Sequence, residues 1–287
     1  VFRILKKETL GPGMFLMEID APNVAKATEP GQFVIVRVSE NGERIPLTIA
    51  DFERNSGKIT IVFQAVGKTT YQLSSKNEGD SIADVAGPLG NASEIEYFGK
   101  VVCVGGGIGI APVYPIARKL KSKGNEVITI IGYKSKNYVF WEEKMRKAST
   151  NLFIATNDGT YGEKGFVTDV LRKVLEQNAD VQRVIAIGPT VMMKAVADMT
   201  REKTVNCKDG NCEGIKTIVS LNSLMVCGMG MCGVCRITVG GETKFTCFDG
   251  PDFDAHLVDF DELSKRLNIY KDEEHIALER WKEGEAR

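Results

Sequence analysis

From Val1 to about Phe98, apolar and polar residues alternate in short runs: FRILKKETL, MFLMEIDAP, QFVIVRVS, RIPLTIADFE, KITIVFQAV and DSIADVAGP. Many short strands at even spacing, separated by turn residues, predict a small antiparallel β-barrel. A single helix, around Thr70 to Ser75, is expected to interrupt it. From about Lys100 the period changes. VVCVGGGIGIAPVYPIARKLKSKG reads as strand, glycine turn and helix, and three further segments repeat that plan. Strand–helix alternation predicts a parallel sheet with crossover helices. Beyond it lie a glycine-rich loop, a hairpin RITVGGETKF turning at Gly240 and Gly241, and a charged helical tail from Asp261 to Arg287. Leu263, Leu267, Ile269, Ile276, Leu278 and Trp281 are its candidate anchors on this chain or another. The expected fold class is multidomain β plus α/β: an antiparallel barrel over 1–98, a parallel-sheet domain over 99–222 and a small C-terminal unit over 223–287.

Composition narrows the class. The chain has 287 residues, 43% hydrophobic and 26% charged, which suits an enzyme or electron carrier with real cores. A formal net charge of -1 with mixed signs along the chain gives no footprint for nucleic acid. The first ten residues lack the apolar stretch of a signal peptide. Val101 to Ala117, the longest uncharged stretch, is too rich in glycine and proline for a membrane helix. The expectation is a cytoplasmic protein with neither a membrane nor a nucleic-acid partner.

The seven cysteines carry the strongest chemistry. Cys227, Cys232, Cys235 and Cys247 stand in the order Cys-x4-Cys-x2-Cys-x11-Cys, the plant-type spacing for a 2Fe-2S cluster. Structural zinc also takes four cysteines, but usually from two short knuckles far apart. Here three ligands crowd one loop whose glycines let the backbone wrap around something larger than one ion. The hairpin is expected to bring Cys247 back to that loop. Cys103, in an apolar strand, reads as a buried small hydrophobe. Cys207 and Cys212 flank a turn and read either as unrelated thiols or as extra ligands or a redox pair.

Two segments of the barrel suit an anion. Arg44-Ile45-Pro46-Leu47-Thr48 offers a cation, a stiff strand and a hydroxyl, and Gly67-Lys68-Thr69-Thr70 opens the helix, where unpaired N–H groups face outward. In the α/β part, Gly105, Gly106, Gly107 and Gly109 end the first strand, where backbone can approach a pyrophosphate. The run is not G-x-G-x-x-G followed by an acidic residue on the next strand, so the standard dinucleotide fingerprint is absent. Asn157-Asp158-Gly159-Thr160 and Gly188-Pro189 mark other strand ends. Met192 and Met193 follow, and core filling is the plainer reading for such a pair. Lys134 and Lys136 follow the second strand, where a cation suits a 2′-phosphate. His256 and His275 build no catalytic arrangement, and hydride chemistry between flavin and nicotinamide requires none.

Together, R-x-P-L-T and G-x-T-T on a barrel, GGGIGIAP and G-P-x-x-M-M on a sheet, and the C-terminal cysteine loop resemble the ferredoxin-reductase-like flavoproteins with an appended 2Fe-2S loop. The resemblance covers nearly the whole chain. It is greater to the small subunits of NADH-dependent reduced ferredoxin:NADP oxidoreductases than to the electron-transfer subunits of two-subunit dihydroorotate dehydrogenases. It implies FAD contacts from Arg44, Pro46, Leu47, Thr48, Ala65, Val66, Gly67, Thr69 and Thr70, with Thr48 near the flavin ring. It implies an NAD(H) site framed by Gly105, Gly106, Gly107, Gly109, Asp158, Gly188, Pro189 and Met192. A larger flavin and iron–sulfur partner subunit is implied, reaching ferredoxin and NADP(H) through that partner. Similar subunits can carry aspartate where this chain has Cys227, and the usual Cys-Gly-Pro is Ile187-Gly188-Pro189 here. The different-class alternative is a non-catalytic, zinc-stabilised interaction subunit.

Overall fold

The computed structural model describes residues 1–202, 204–208 and 211–284. The first unit contains β1 (Phe2–Gly11), β2 (Met14–Asp20), α1 (Pro22–Ala27), β3 (Phe33–Arg37), β4 (Arg44–Glu53), β5 (Lys58–Gln64), α2 (Lys68–Ser75), β6 (Ser81–Ile82) and β7 (Asp84–Leu89). The strands form one antiparallel sheet in the order β6-β1-β2-β5-β4-β3-β7. Its two edge strands, β6 and β7, are separated in sequence only by Ala83, so the sheet curls into a nearly closed barrel. The expected strands are present, but α1 is a second helix that sequence periodicity does not reveal. Six residues are too few to show a helical repeat, and Pro22 at its first turn is its main signal.

Alternation along the strands sorts this barrel into two faces. Val34 and Val36 of β3, with Ile49 of β4, fill the interior beside Ile61 and Phe63, and Ile45 and Leu47 pack against them. Phe33 and Ile35 point outward, and Phe33 stands opposite Thr48 and Ile35 opposite Pro46 in the β3–β4 register. Residues paired across strands share a face, so Pro46 and Thr48 point outward with them.

The second unit comprises β8 (Lys100–Gly106), α3 (Ile110–Ser122), β9 (Glu126–Tyr133), α4 (Glu142–Ala148), β10 (Asn151–Thr156), β11 (Glu163–Lys164), α5 (Val167–Gln177), β12 (Val181–Ile187), α6 (Thr190–Glu202), the backbone pair β13 (Thr204–Lys208) and β14 (Asn211–Gly214), and β15 (Lys216–Ser220). The near-continuous apolar runs of β8, β9 and β12 are what a strand covered by helices on both faces requires. Cys103 is fully buried here as expected, and burial pushes its thiol up to about 12. The cysteines of β13 and β14 have side chains outside the described residues, so the alternatives for Cys207 and Cys212 lie there too.

After the cysteine loop come β16 (Arg236–Val239), β17 (Glu242–Phe245), β18 (Asp252–Asp254), α7 (Phe260–Leu267) and α8 (Lys271–Lys282). The larger sheet runs β11-β10-β9-β8-β12-β15-β18, parallel except for β18, which returns antiparallel along β15. The charged tail folds as two helices and packs on this chain. Leu263 and Leu278 are buried, Tyr71 of α2 lies 6.1 Å from Trp281 between ring centroids, and Ile269 and Ile276 remain exposed. Among the described residues no helix is long and apolar enough to cross a membrane.

Candidate electron-transfer site

The hairpin closes as its sequence predicts. Gly240 and Gly241 both take positive φ, 61° and 80°, which a two-residue turn joining twisted strands demands. Cys247 thereby returns to within 3.2 Å of Cys235, Sγ to Sγ, and both thiols are buried beside Phe33, Ile35, Met225 and Phe245. The other two cysteines form a second pair. The Cys227 sulfur accepts the peptide N–H of Cys232 at 3.4 Å and that of Met229 at 3.5 Å, while Gly230 N–H donates to Cys247 at 3.1 Å.

Burial alone would raise the Cys227 thiol, but the N–H groups of Met229, Cys232 and Met231 outweigh it and bring it down to about 6. Burial pushes the Cys247 thiol up to about 12, with the neighbouring Cys235 thiol adding to the rise. Two thiol pairs wrapped by donating amides suit a two-iron, two-sulfide unit. Among the described residues no three His, Cys, Asp or Glu side chains converge on a single-ion site.

Gly228 has φ 74°, and a Cβ there would strike Ile35 and Leu89, so the loop backbone lies directly on β3 and β7. Across β3 lies the outward face of β4 with Pro46 and Thr48, and Arg44 is exposed at that strand's start. Leu47 points inward by the same alternation and offers that face only its backbone. The second barrel segment meets the first through Glu43. Its carboxylate accepts the Thr69 hydroxyl at 3.2 Å and lies 3.6 Å from the Lys68 ammonium. Thr70 Oγ1 accepts the amides of Val66 and Gly67 at 2.9 and 3.0 Å, ordering the start of α2 so that its remaining first-turn N–H groups face out. Ala65 is half-buried, bonded through its N–H to Gly13, and Val66 is 66% exposed. Arg44, Thr48 and the start of α2 are the groups that this part of the barrel can offer to an anion.

At the sheet, Gly105 pairs with Ile187, so the glycine turn and Gly188-Pro189 lie side by side at the ends of adjacent strands β8 and β12. Crossovers leave β8 toward β9 but return through β12 on its other side, which makes this crevice the switch point where α/β sheets bind ligands. The glycines divide the work. A Cβ on Gly109 would collide with the Ile187 carbonyl, one on Gly106 would lie 2.5 Å from Met192 Sδ, and one on Gly188 would lie 2.8 Å from Met192 Cε. Gly107 alone of this group has both φ 54° and open space where a Cβ would stand. Met192 therefore packs between the two strand ends, while Met193 is core. Asp158 is two strands away and exposed, with its carboxylate holding Thr160 N and Oγ1 at 3.0 and 2.7 Å. Lys134 is exposed, and the Lys136 ammonium stands 6.0 Å from the Tyr161 ring.

One contact set had no sequence signal. Asp51 of β4 bridges Arg118 of α3 at 3.0 Å and Lys144 of α4 at 3.4 Å, and Lys144 lies over the Trp141 and Tyr114 rings at 4.3 and 5.2 Å. It ties the barrel to the sheet unit. Trp141 holds a left-handed φ of 58° to complete this stack.

An antiparallel barrel, a parallel sheet with a glycine-lined crevice and a four-thiol loop packed on the barrel belong to an NAD(H)-dependent flavoprotein oxidoreductase subunit with a 2Fe-2S cluster. The family described as the iron-sulfur cluster binding domain of dihydroorotate dehydrogenase B matches residues 222–259, and the oxidoreductase NAD-binding domain matches 103–198. A Thermotoga maritima protein named as a dihydroorotate dehydrogenase B (NAD(+)) electron transfer subunit homolog is 46% identical over 97% of this chain and 94% of its own length. The Bacillus velezensis electron transfer subunit of that enzyme is 36% identical, over 85% of this chain and 93% of its own length. A solved structure of an NADH-dependent reduced ferredoxin-NADP oxidoreductase superposes with a TM-score of 0.90 at 45% identity, covering 98% of both chains. The chain belongs to the family of dihydroorotate dehydrogenase B electron-transfer subunits and their homologues.

Proposed function

We propose that this chain is the small subunit of an electron-bifurcating ferredoxin:NADP oxidoreductase, joined to a larger flavin and iron–sulfur subunit in the cytoplasm. FAD held on the barrel would exchange a hydride with NAD(H), and a 2Fe-2S cluster held by Cys227, Cys232, Cys235 and Cys247 would carry the flavin's electrons onward singly. The observation that carries the reading is the packing of the cysteine loop on β3, one strand from the face with Pro46 and Thr48. In this reading Arg44, Thr69 and the first turn of α2 hold the FAD phosphates, Thr48 orients the ring edge, and Val66 covers it. Gly107 admits the dinucleotide pyrophosphate, and Gly188-Pro189 with Met192 shapes the crevice wall. Met229 and Met231, which are 55% and 80% exposed beside the exposed Cys232, form the contact surface for the larger subunit.

The solved relative that covers the whole chain supports the ferredoxin:NADP assignment. The names of the curated relatives favour a second reading, the electron-transfer subunit of a dihydroorotate dehydrogenase. Activity of the native complex separates the two. Ferredoxin-dependent NADP reduction with NADH is expected, whereas NAD-dependent dihydroorotate oxidation without it supports the second reading. A native protein that is solely a monomer with full turnover on a soluble substrate would overturn both.

A further inference from the structure

Where the three units meet, a half-buried aspartate holds one carboxyl oxygen out of solvent with no ion-pair partner among the described residues. Asp252, which opens β18 shortly after Cys247, accepts the Ser93 hydroxyl on Oδ2 at 2.6 Å, and its Oδ1 has no hydrogen-bond partner among the described residues. The Ser223 hydroxyl, at the entry to the cysteine loop, is likewise buried and without a partner. Four segments converge on the spot. Ser220 of β15 stands opposite Asp252, and Asn91 N–H donates to the Gly250 carbonyl at 2.7 Å. Ser93 N–H donates to the Pro30 carbonyl, and Gly31 has φ 90° with no room for a Cβ because Ser93 fills that place.

The ionisable side chains on these segments are engaged elsewhere. Glu94 holds Arg183 at 2.7 Å, Glu29 holds Arg54 at 2.6 Å, Asp254 holds Lys216 at 2.6 Å, and Asp249 accepts the Phe245 N–H at 2.6 Å. The segment is also close to the electron route. A Cβ on Gly90 would meet both Pro251 Cδ and the Phe33 ring, and Phe33 packs in the cluster of side chains around Cys235 and Cys247.

We infer that Asp252 is a redox-linked proton acceptor, taking one proton from solvent through the half-buried Ser93 hydroxyl for each electron that reaches the cysteine loop. The inference rests on the proposed route through that loop. An added electron places one negative charge near a carboxylate that burial already disfavours, and protonation of Asp252 cancels it. The electron comes from NADH through the flavin, the proton comes from water, and a carboxylate becomes a carboxylic acid. The direction agrees with the group's setting, since burial raises the Asp252 carboxyl while the hydrogen bond from Ser93 pulls it back. Asp252 is a positioning residue for charge rather than one that touches the reacting atoms.

The test is a redox titration of the holoprotein, following the cluster by electron paramagnetic resonance at a series of pH values. Between the carboxyl pKa with the cluster oxidised and its higher pKa with the cluster reduced, the potential should fall by about 59 mV per pH unit, the one-electron equivalent of a tenfold change in proton activity. Below that window it should be flat. Asp252→Asn should abolish the slope and hold the potential at the wild-type acid plateau. Ser93→Ala, which leaves the carboxyl in place and removes one donor to its ionised form, should move the sloping window to higher pH, and it serves if the first variant does not fold. A reducible cluster with a flat wild-type potential, or a slope that persists in Asp252→Asn, overturns the inference alone. A preparation with no reducible cluster overturns the proposed route and the inference with it.

Discussion

Ile35 and Pro46 face each other across two neighbouring barrel strands, and Ile35 at the same time touches the loop that carries the four thiols. A single strand width, about 5 Å between hydrogen-bonded neighbours, therefore separates the proposed flavin face from the cluster loop. Replacing Ile35 with Ala should leave both cofactors bound while slowing flavin-to-cluster transfer. It also removes packing that is worth about 2–4 kcal/mol for a well-filled site. Stopped-flow reduction by NADH, read at flavin and cluster wavelengths, separates the two effects.

The four thiols differ in what they do for the fold. Cys232 is exposed, so Cys232→Ser should empty the cluster and leave flavin content and melting temperature near wild type. Cys235 and Cys247 are core residues as well as proposed ligands, and serine there should add about 1–3 kcal/mol of destabilisation from a buried hydroxyl. Iron, acid-labile sulfide and flavin assays on the purified variants check this, and retained iron in Cys232→Ser would remove it from the ligand set.

Gly107 and Gly109 should respond oppositely to alanine. Gly109→Ala drives a methyl into the Ile187 carbonyl and is expected to unfold the β8–β12 junction. Gly107→Ala meets only open space and costs about 1–2 kcal/mol for its left-handed backbone, but its methyl occupies the crevice. It should raise KM for NADH well before it lowers the melting temperature, a contrast that steady-state kinetics and thermal melts together would expose.

Asp51 holds the barrel against α3 and α4 with two partly exposed cations. Such pairs contribute about 1 kcal/mol or less to stability, so Asp51→Asn should barely shift the melt. Its effect should appear in hydride transfer from NADH to FAD, slowed several-fold because the two sites are less firmly aligned. An unchanged transfer rate would assign Asp51 to surface electrostatics alone.

Deleting α8 uncovers Tyr71, one residue past the Thr70 that orders the first turn of α2. The Tyr71–Trp281 pair and the burial of Leu278 together account for about 2–4 kcal/mol. The truncated chain should melt lower and release FAD faster, measured by the recovery of flavin fluorescence. A truncated chain that binds FAD as tightly as the full one would make α8 a passenger.

How far the chain could be read in advance depended on the range of each interaction. The barrel strands and the thiol loop are local patterns: period-two alternation, cysteine spacing and a Gly-Gly turn are all set within a few residues. The α1 helix escaped because six residues carry too little periodicity. The return of β18 escaped because Asp-Phe-Asp offers a single apolar residue. Asp51 with Lys144 and Ser93 with Asp252 are 93 and 159 positions apart, and no local pattern announces them. The glycine run was visible, but which glycine faces ligand and which merely makes room for Ile187 or Met192 is decided only by the neighbouring strand.

The antiparallel return of β18 also has a protective side. By pairing with β15 it keeps that strand from presenting a bare row of N–H and C=O groups at the end of the larger sheet. A chain whose cysteine loop has failed to close leaves this edge uncovered, an invitation to pair with another molecule. Solubility of the newly made protein should thus depend on the supply of iron and sulfide, with starved cells accumulating it as aggregate rather than as a clear apo-form.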